Sequence, residues 1–155
     1  GRVVFLELLP PVKGVSDDRS ARLYSWDDRL TRRELERSIR KRVDVGTLQD
    51  LRVVRRGVSG RVVDLEVVGS RGSETVRGFD IRRLLGLRES LVVFEIQRDL
   101  DGTVQAIAFS GKGWGHGIGL CQVGAYGMAL RGEEYRAILA HYYRGSRIQR
   151  AATAR

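Results

Sequence analysis

The chain has 155 residues, 42% hydrophobic and 30% charged, with a formal net charge of +9. That is the length of one domain, expected to bury about two-thirds of its unfolded surface, and no apolar run is long enough to cross a membrane. One cysteine, Cys121, and two histidines, His116 and His141, exclude an intrachain disulfide and are too few for a four-ligand zinc site.

The positive balance favours acidic polymers as partners: nucleic acid, anionic envelope glycans or a membrane surface. The arginines are scattered through the chain, so ordinary solvated faces account for them equally well. The opening VVFLELLPPV carries Glu7 and is too short for a signal peptide. It reads as a strand over residues 1–10, begun without a polar lead-in, as a fragment would be. Residues 13–22 read as a polar loop.

Thr31 and Glu34 have capping-box spacing, and Leu30 and Leu35 are placed as a hydrophobic staple. A helix is predicted from Arg32 to about Arg42, with Leu35 and Ile39 inward. The period then changes to two. LRVVRRG and RVVDLEVVG, joined at Ser59-Gly60, predict a hairpin. A turn over Ser70–Gly72 leads to a third strand, ETVRG. Asp80 is expected to cap a short helix, IRRLLG, with Phe79 and Leu84 as staple and Gly86 as stop. LVVFEIQ and VQAIAFS, joined by Asp99–Gly102, form a second hairpin. After Gly119 the pattern turns helical to Gly132. A last helix runs from about Glu134 to Tyr143, with Tyr135, Ile138, Leu139 and Tyr142 on one face, and Gly145 ends it. The fold class is α+β: mostly antiparallel β-hairpins with a mid-chain helix and two C-terminal helices. A single domain over residues 1–155 is expected, its tail at 149–155 frayed.

Residues 111–119 read GKGWGHGIG, with glycine at every second position. As an extended continuation of the preceding strand, one face would be bare backbone and the other would carry Lys112, Trp114, His116 and Ile118. Each strand glycine costs roughly 0.5–1 kcal/mol relative to alanine, so a ligand or a neighbouring segment should lie flush against that backbone. The run fits neither the GxGxxG fingerprint nor a P-loop, although the helix start after Gly119 favours an anion.

Trp114 offers a flat face on which a sugar can stack, or a core side chain. His116 suits proton transfer, or a structural hydrogen bond. Gln122, in the first turn of the next helix, and Tyr126, on the same helix face, are further candidate contacts. Cys121 reads as a small core residue and His141 as structural. Nothing matches a helix-turn-helix, an RRM or a zinc finger, so no specific nucleic acid is expected.

The segment GKGWGHGIGLCQVGAYGMALRGEEYRAILAHYYRGSRI resembles the C-terminal part of a SpoIID/LytB domain, the family of stage II sporulation protein D and the amidase enhancer LytB. Trp114, Gly115, His116, Gly117, Gly119, Gln122, Gly124, Ala125 and Tyr126 match its pattern, as do Tyr135, Ile138, Leu139, Tyr142, Tyr143 and Gly145. LTRRELERSIR, GRVVDLEVVGSRG and FDIRRLLGL match in style and order, so the resemblance covers about residues 24–148. Cys121 stands where serine is frequent, and Arg144 where proline is common. The family's N-terminal half, with a glutamate taken as the catalytic acid and a His- and Cys-containing loop that binds zinc in some members, has no counterpart in these residues.

The resemblance implies a peptidoglycan-acting protein of the cell envelope, similar to lytic transglycosylases that cut between N-acetylmuramic acid and N-acetylglucosamine. An acid protonates the glycosidic oxygen, and the C6 hydroxyl closes on C1 to leave a 1,6-anhydro end. Lys112, Gly113, Trp114, Gly115, His116, Gly117, Gly119, Gln122 and Tyr126 would form a glycan-binding wall, with His116 a contributor to catalysis. The catalytic acid is not assigned: Glu95, Glu133 and Glu134 are no candidates. No cofactor is expected from this chain, since zinc would need ligands from the missing half. Glycan strands are the expected partner. A non-catalytic module that binds the wall, or a cell-wall amidase or other envelope protein, is the alternative.

Overall fold

The computed structural model describes residues 21–149. The strand expected over 1–10, almost all of the loop over 13–22 and the tail beyond 149 lie outside the described residues. The described chain divides into two compact units, Arg22–His116 and the residues from Gly117 onward. The architecture is α+β, as expected.

Among the described residues, the first unit holds two three-stranded antiparallel sheets. β1 (Ser25–Thr31), β6 (Val104–Lys112) and β5 (Val92–Arg98) form one, with β6 central. β2 (Leu48–Arg56), β3 (Val62–Gly69) and β4 (Gly72–Arg77) form the other. The hairpins fall where alternating apolar runs met turn residues. Trp26 pairs with Gly111 and Phe94 with Phe109 across β6.

Helix α1 (Arg32–Ile39) starts at the expected capping box. Thr31 N–H and Oγ donate to the Glu34 carboxylate at 2.8 and 2.7 Å, and Thr31 Oγ accepts from Glu34 N–H. Those bonds hold the Glu34 carboxyl below its ordinary value. The helix ends at Ile39 rather than near Arg42, because the chain tightens there: both Arg42 N–H and Val43 N–H donate to the Ile39 carbonyl.

In α2 (Phe79–Leu85) the expected cap is corrected. Gly78, at φ +56°, is the N-cap, and Asp80 lies inside the first turn, paired with Arg42. Phe79 is not a staple; it is exposed, with the Arg82 and Arg83 guanidinium groups over its ring. Gly86 stops the helix in the left-handed conformation, as expected. Leu35 and Ile39 of α1 and Ile81, Leu84 and Leu85 of α2 join Leu65, Ile107, Phe109 and Trp26 in one core cluster. Truncating a buried leucine of this kind to alanine costs about 2–5 kcal/mol.

The second unit carries α3 (Gln122–Leu130) and α4 (Tyr135–Tyr142), which pack on each other. Among the described residues, Met128 and Ile138 are its buried apolar side chains. Tyr135, expected on one face with Ile138, Leu139 and Tyr142, is 58% exposed. No described helix is long and apolar enough to cross a membrane.

Candidate functional site

The glycine run is not a strand. β6 ends at Lys112, and Gly113, Gly115, Gly117 and Gly119 have φ of +79°, +143°, +68° and +89°. Side-chain-bearing residues resist those angles. The expectation that Lys112, Trp114, His116 and Ile118 share one strand face is therefore overturned. Alternate positive φ turns the segment into a loop.

Gly111 is still in β6, and its reason is a neighbouring segment. A Cβ there would collide with the Trp26 ring. Trp26, only 6% exposed, is the core indole, whereas Trp114 is 70% exposed. That overturns the core reading of Trp114.

Gly113 and Gly115 flank this exposed indole, and their backbones are held on both sides. Gly113 N–H donates to Tyr24 O at 3.1 Å, and its carbonyl accepts from Trp26 Nε1 at 2.8 Å. Gly115 N–H donates to Arg88 O at 3.2 Å, and its carbonyl accepts from Arg82 Nη1 at 2.9 Å. The amide donors of both glycines are thus spent inside the protein, so they cannot cradle an anion. A Cβ at either position would meet nothing within 4 Å. The loop therefore presents an indole between two stretches of bare, hydrogen-bonded backbone.

Lys112 anchors the start of the loop: its N–H donates to Leu91 O at 3.0 Å, and its ammonium lies 5.6 Å from the Tyr24 ring centroid. His116 is exposed. The supporting residues escaped sequence reading. Arg82 and Arg83 are adjacent in α2, and no pattern separates the one that reaches Gly115 from the one beside Asp80.

Next in sequence to Arg88, whose carbonyl holds Gly115, Glu89 is 2% exposed. Its carboxylate accepts from Ser90 N–H at 2.6 Å and Ser90 Oγ at 3.2 Å, and pairs with Arg61 at 3.4 Å. A concavity of about 590 Å³ on the first unit lies elsewhere, lined by Arg40, Asp44, Gly46, Thr47, Ser70 and Arg71.

In the second unit, Cys121 is corrected from core to cap. It is exposed, and its Sγ accepts from Gly124 N–H at 3.4 Å at the start of α3. Gln122 is in the first turn as expected, and Tyr126 follows one turn later; both are exposed. A Cβ at Gly124 would strike the Tyr142 hydroxyl. The Tyr143 hydroxyl accepts from Leu120 N–H at 3.2 Å beside Gly119. His141 lies on α4 with its ring edge-on to Tyr142.

Residues 4–119 match a family model described as "Domain of unknown function (DUF8618)". The chain belongs to this family. The match takes in all of the first unit's described residues and runs to the end of the glycine run. The chain is also 43% identical over 76 residues to stage II sporulation protein D of Bacillus amyloliquefaciens, covering 49% of this chain and 20% of that protein. It is 38% identical over 78 residues to stage II sporulation protein D of Bacillus subtilis (strain 168), covering 50% of this chain and 21% of that protein. The amidase enhancer of the same organism is 51% identical over 39 residues, 25% of this chain and 6% of the relative. The matched part is thus about a fifth of the length of the sporulation proteins.

Proposed function

We propose that this chain acts on peptidoglycan in the cell envelope, and that its glycine loop binds glycan strands through Trp114. The observation that carries the reading is the 70% exposed indole, held between two glycines whose backbone polar groups are already satisfied. A sugar ring has an apolar C–H face that packs on an indole, and the open space at Gly113 and Gly115 on either side lets it approach. The exposed indole also offers a ligand the N–H at its edge. Lys112, Gly113, Gly115 and His116 complete the proposed contacts on the first unit. Gly117, Gly119, Gln122 and Tyr126 are the candidates carried by the second. The relatives' names, stage II sporulation protein D and amidase enhancer, support a cell-wall role, and the net positive charge suits its anionic components.

By its resemblance to SpoIID-type lytic transglycosylases, this chain joined to the family's N-terminal half would cut the strand it binds, supplying the C-terminal, glycan-binding portion. His116 remains a candidate for proton transfer. The cleaving acid would have to come from outside this loop's support, since Glu89 is buried and engaged by Arg61 and Ser90. Zinc would likewise need other ligands, because no described cluster of three His, Cys, Asp or Glu could hold a metal ion. A second reading, a non-catalytic module of the amidase-enhancer kind, is favoured by the 51% identity to that protein.

The test is co-sedimentation of the 155-residue chain with intact and peptide-stripped peptidoglycan at two salt concentrations, with DNA as competitor. Salt-tolerant binding that Trp114→Ala and His116→Ala weaken supports the glycan site. Binding that vanishes at moderate salt, yields to DNA and ignores both substitutions overturns it. Anhydro ends released once the family's N-terminal half is joined to this chain separate the cleaving reading from the enhancer reading.

A further inference from the structure

We infer that Arg82 and Trp26 are positioning residues that hold Trp114 out as a preorganised stacking platform. The two carbonyls that flank Trp114 belong to Gly113 and Gly115. Each is gripped by one side-chain N–H from a different element: Trp26 Nε1 of β1 on Gly113 O at 2.8 Å, and Arg82 Nη1 of α2 on Gly115 O at 2.9 Å. Arg82 is itself fixed, because its Nε donates to Leu87 O at 3.0 Å just past the end of α2. Its guanidinium also lies 5.3 Å from the Phe79 ring centroid.

The planar Arg82 fork spans Leu87 O and Gly115 O at once, which a lysine ammonium cannot do from one position. The matching N–H groups are held by Tyr24 O and Arg88 O. Glycine at positive φ is the most mobile of residues, yet both glycines beside Trp114 are pinned at their N–H and C=O. The grip has a functional logic. A loop ordered before binding loses less conformational freedom when a ligand arrives.

Trp26 is also a core residue packed on Gly111, so its replacement would confound folding with positioning. Arg82, half-buried at the surface of α2, is the residue to test. Arg82→Met keeps the aliphatic stem and removes both bonds. Arg82→Lys keeps the charge and at most one of them. The readouts on the 155-residue chain are amide exchange at Gly115, the heteronuclear NOE of the Trp114 indole N–H, the melting temperature, and affinity for peptide-stripped glycan strands.

The binding arm rests on the proposed glycan function; the dynamics arm does not. The expected result is faster Gly115 exchange and a lowered Trp114 NOE in Arg82→Met, with Arg82→Lys intermediate. Glycan affinity should fall roughly three- to tenfold while Trp26, buried in the core, keeps its own NOE. An unchanged Gly115 exchange and Trp114 NOE in Arg82→Met overturns the positioning role. So does a loosened loop with full glycan affinity. If the unsubstituted chain binds no glycan, the proposed function fails, and the exchange and NOE data alone decide whether Arg82 holds the loop.

Discussion

The glycines of the 111–119 run answer to different constraints, and substitutions should separate them. At Gly111 the obstacle is the Trp26 ring, which is pinned by its bond to Gly113 O and cannot move aside. Gly111→Ala should therefore cost about 2–3 kcal/mol, in the range of core overpacking. At Gly113 the surrounding space is open and the cost is only that of φ +79°, about 1–2 kcal/mol for a residue with a Cβ. Urea unfolding of the two variants should show Gly111→Ala as the less stable. The reverse order would mean that the Trp26 ring yields. Trp114→Ala, at an exposed site, should leave the unfolding midpoint nearly unchanged. The sequence told that this run was special but not why. Alternate glycines have the same period of two as a strand, and only backbone angles distinguish the two.

At the scale of the element, α1 tests how much a helix start is worth. Thr31→Ala removes the cap and should cost about 1 kcal/mol, read from thermal or urea unfolding. The pH dependence has a definite sign. The folded-state pKa of Glu34 is lowered, so its contribution is fully present above the ordinary carboxylate range and is lost as pH falls through the folded value. As pH falls below the ordinary carboxylate range, the unsubstituted chain should lose stability relative to Glu34→Gln, whose curve lacks this component. Parallel curves would remove the capping box from the acid response.

The hairpins and the α1 cap were legible because local chemistry decides them: alternating Val and Leu, Gly-containing turns, and a Thr–Glu pair three residues apart. Asp80 misled because Gly78, with its positive φ, begins α2 two residues earlier. Helical periodicity put Tyr135 on one face with Ile138 without saying whether anything covers it. Cys121 misled because composition cannot show that its sulfur is used as a cap.

Across the first unit, the arginines look less like a diffuse basic surface and more like fasteners. Arg56 donates to Gly60 O and Val92 O, and its burial lowers its pKa. Arg98 reaches Gln49 O and Asp50. Arg61 pairs with Glu89 while Val62 N–H donates to Ser90 O. Each of these ties the β2–β3 hairpin to β5 or to the segment leading into it. Glu89→Ala would leave Arg61 uncompensated and should cost roughly 2–4 kcal/mol, at or below the range for a broken buried pair because Arg61 is partly solvated. Replacing both, Arg61→Met with Glu89→Leu, should recover most of that loss in the same unfolding assay. A double variant no better than Glu89→Ala would show that the hydrogen bonds to Ser90, not the ion pair, carry the joint.

The backbone bonds that lock Gly113 and Gly115 leave one residue between them with no part in holding the loop together. Position 114 is, in effect, an interchangeable tip on a fixed handle. A tyrosine, a histidine or an arginine in place of the indole would be displayed by the same carbonyl grips at the same place. Binding preference at this loop can then be rewritten one residue at a time, without refolding the domain that carries it.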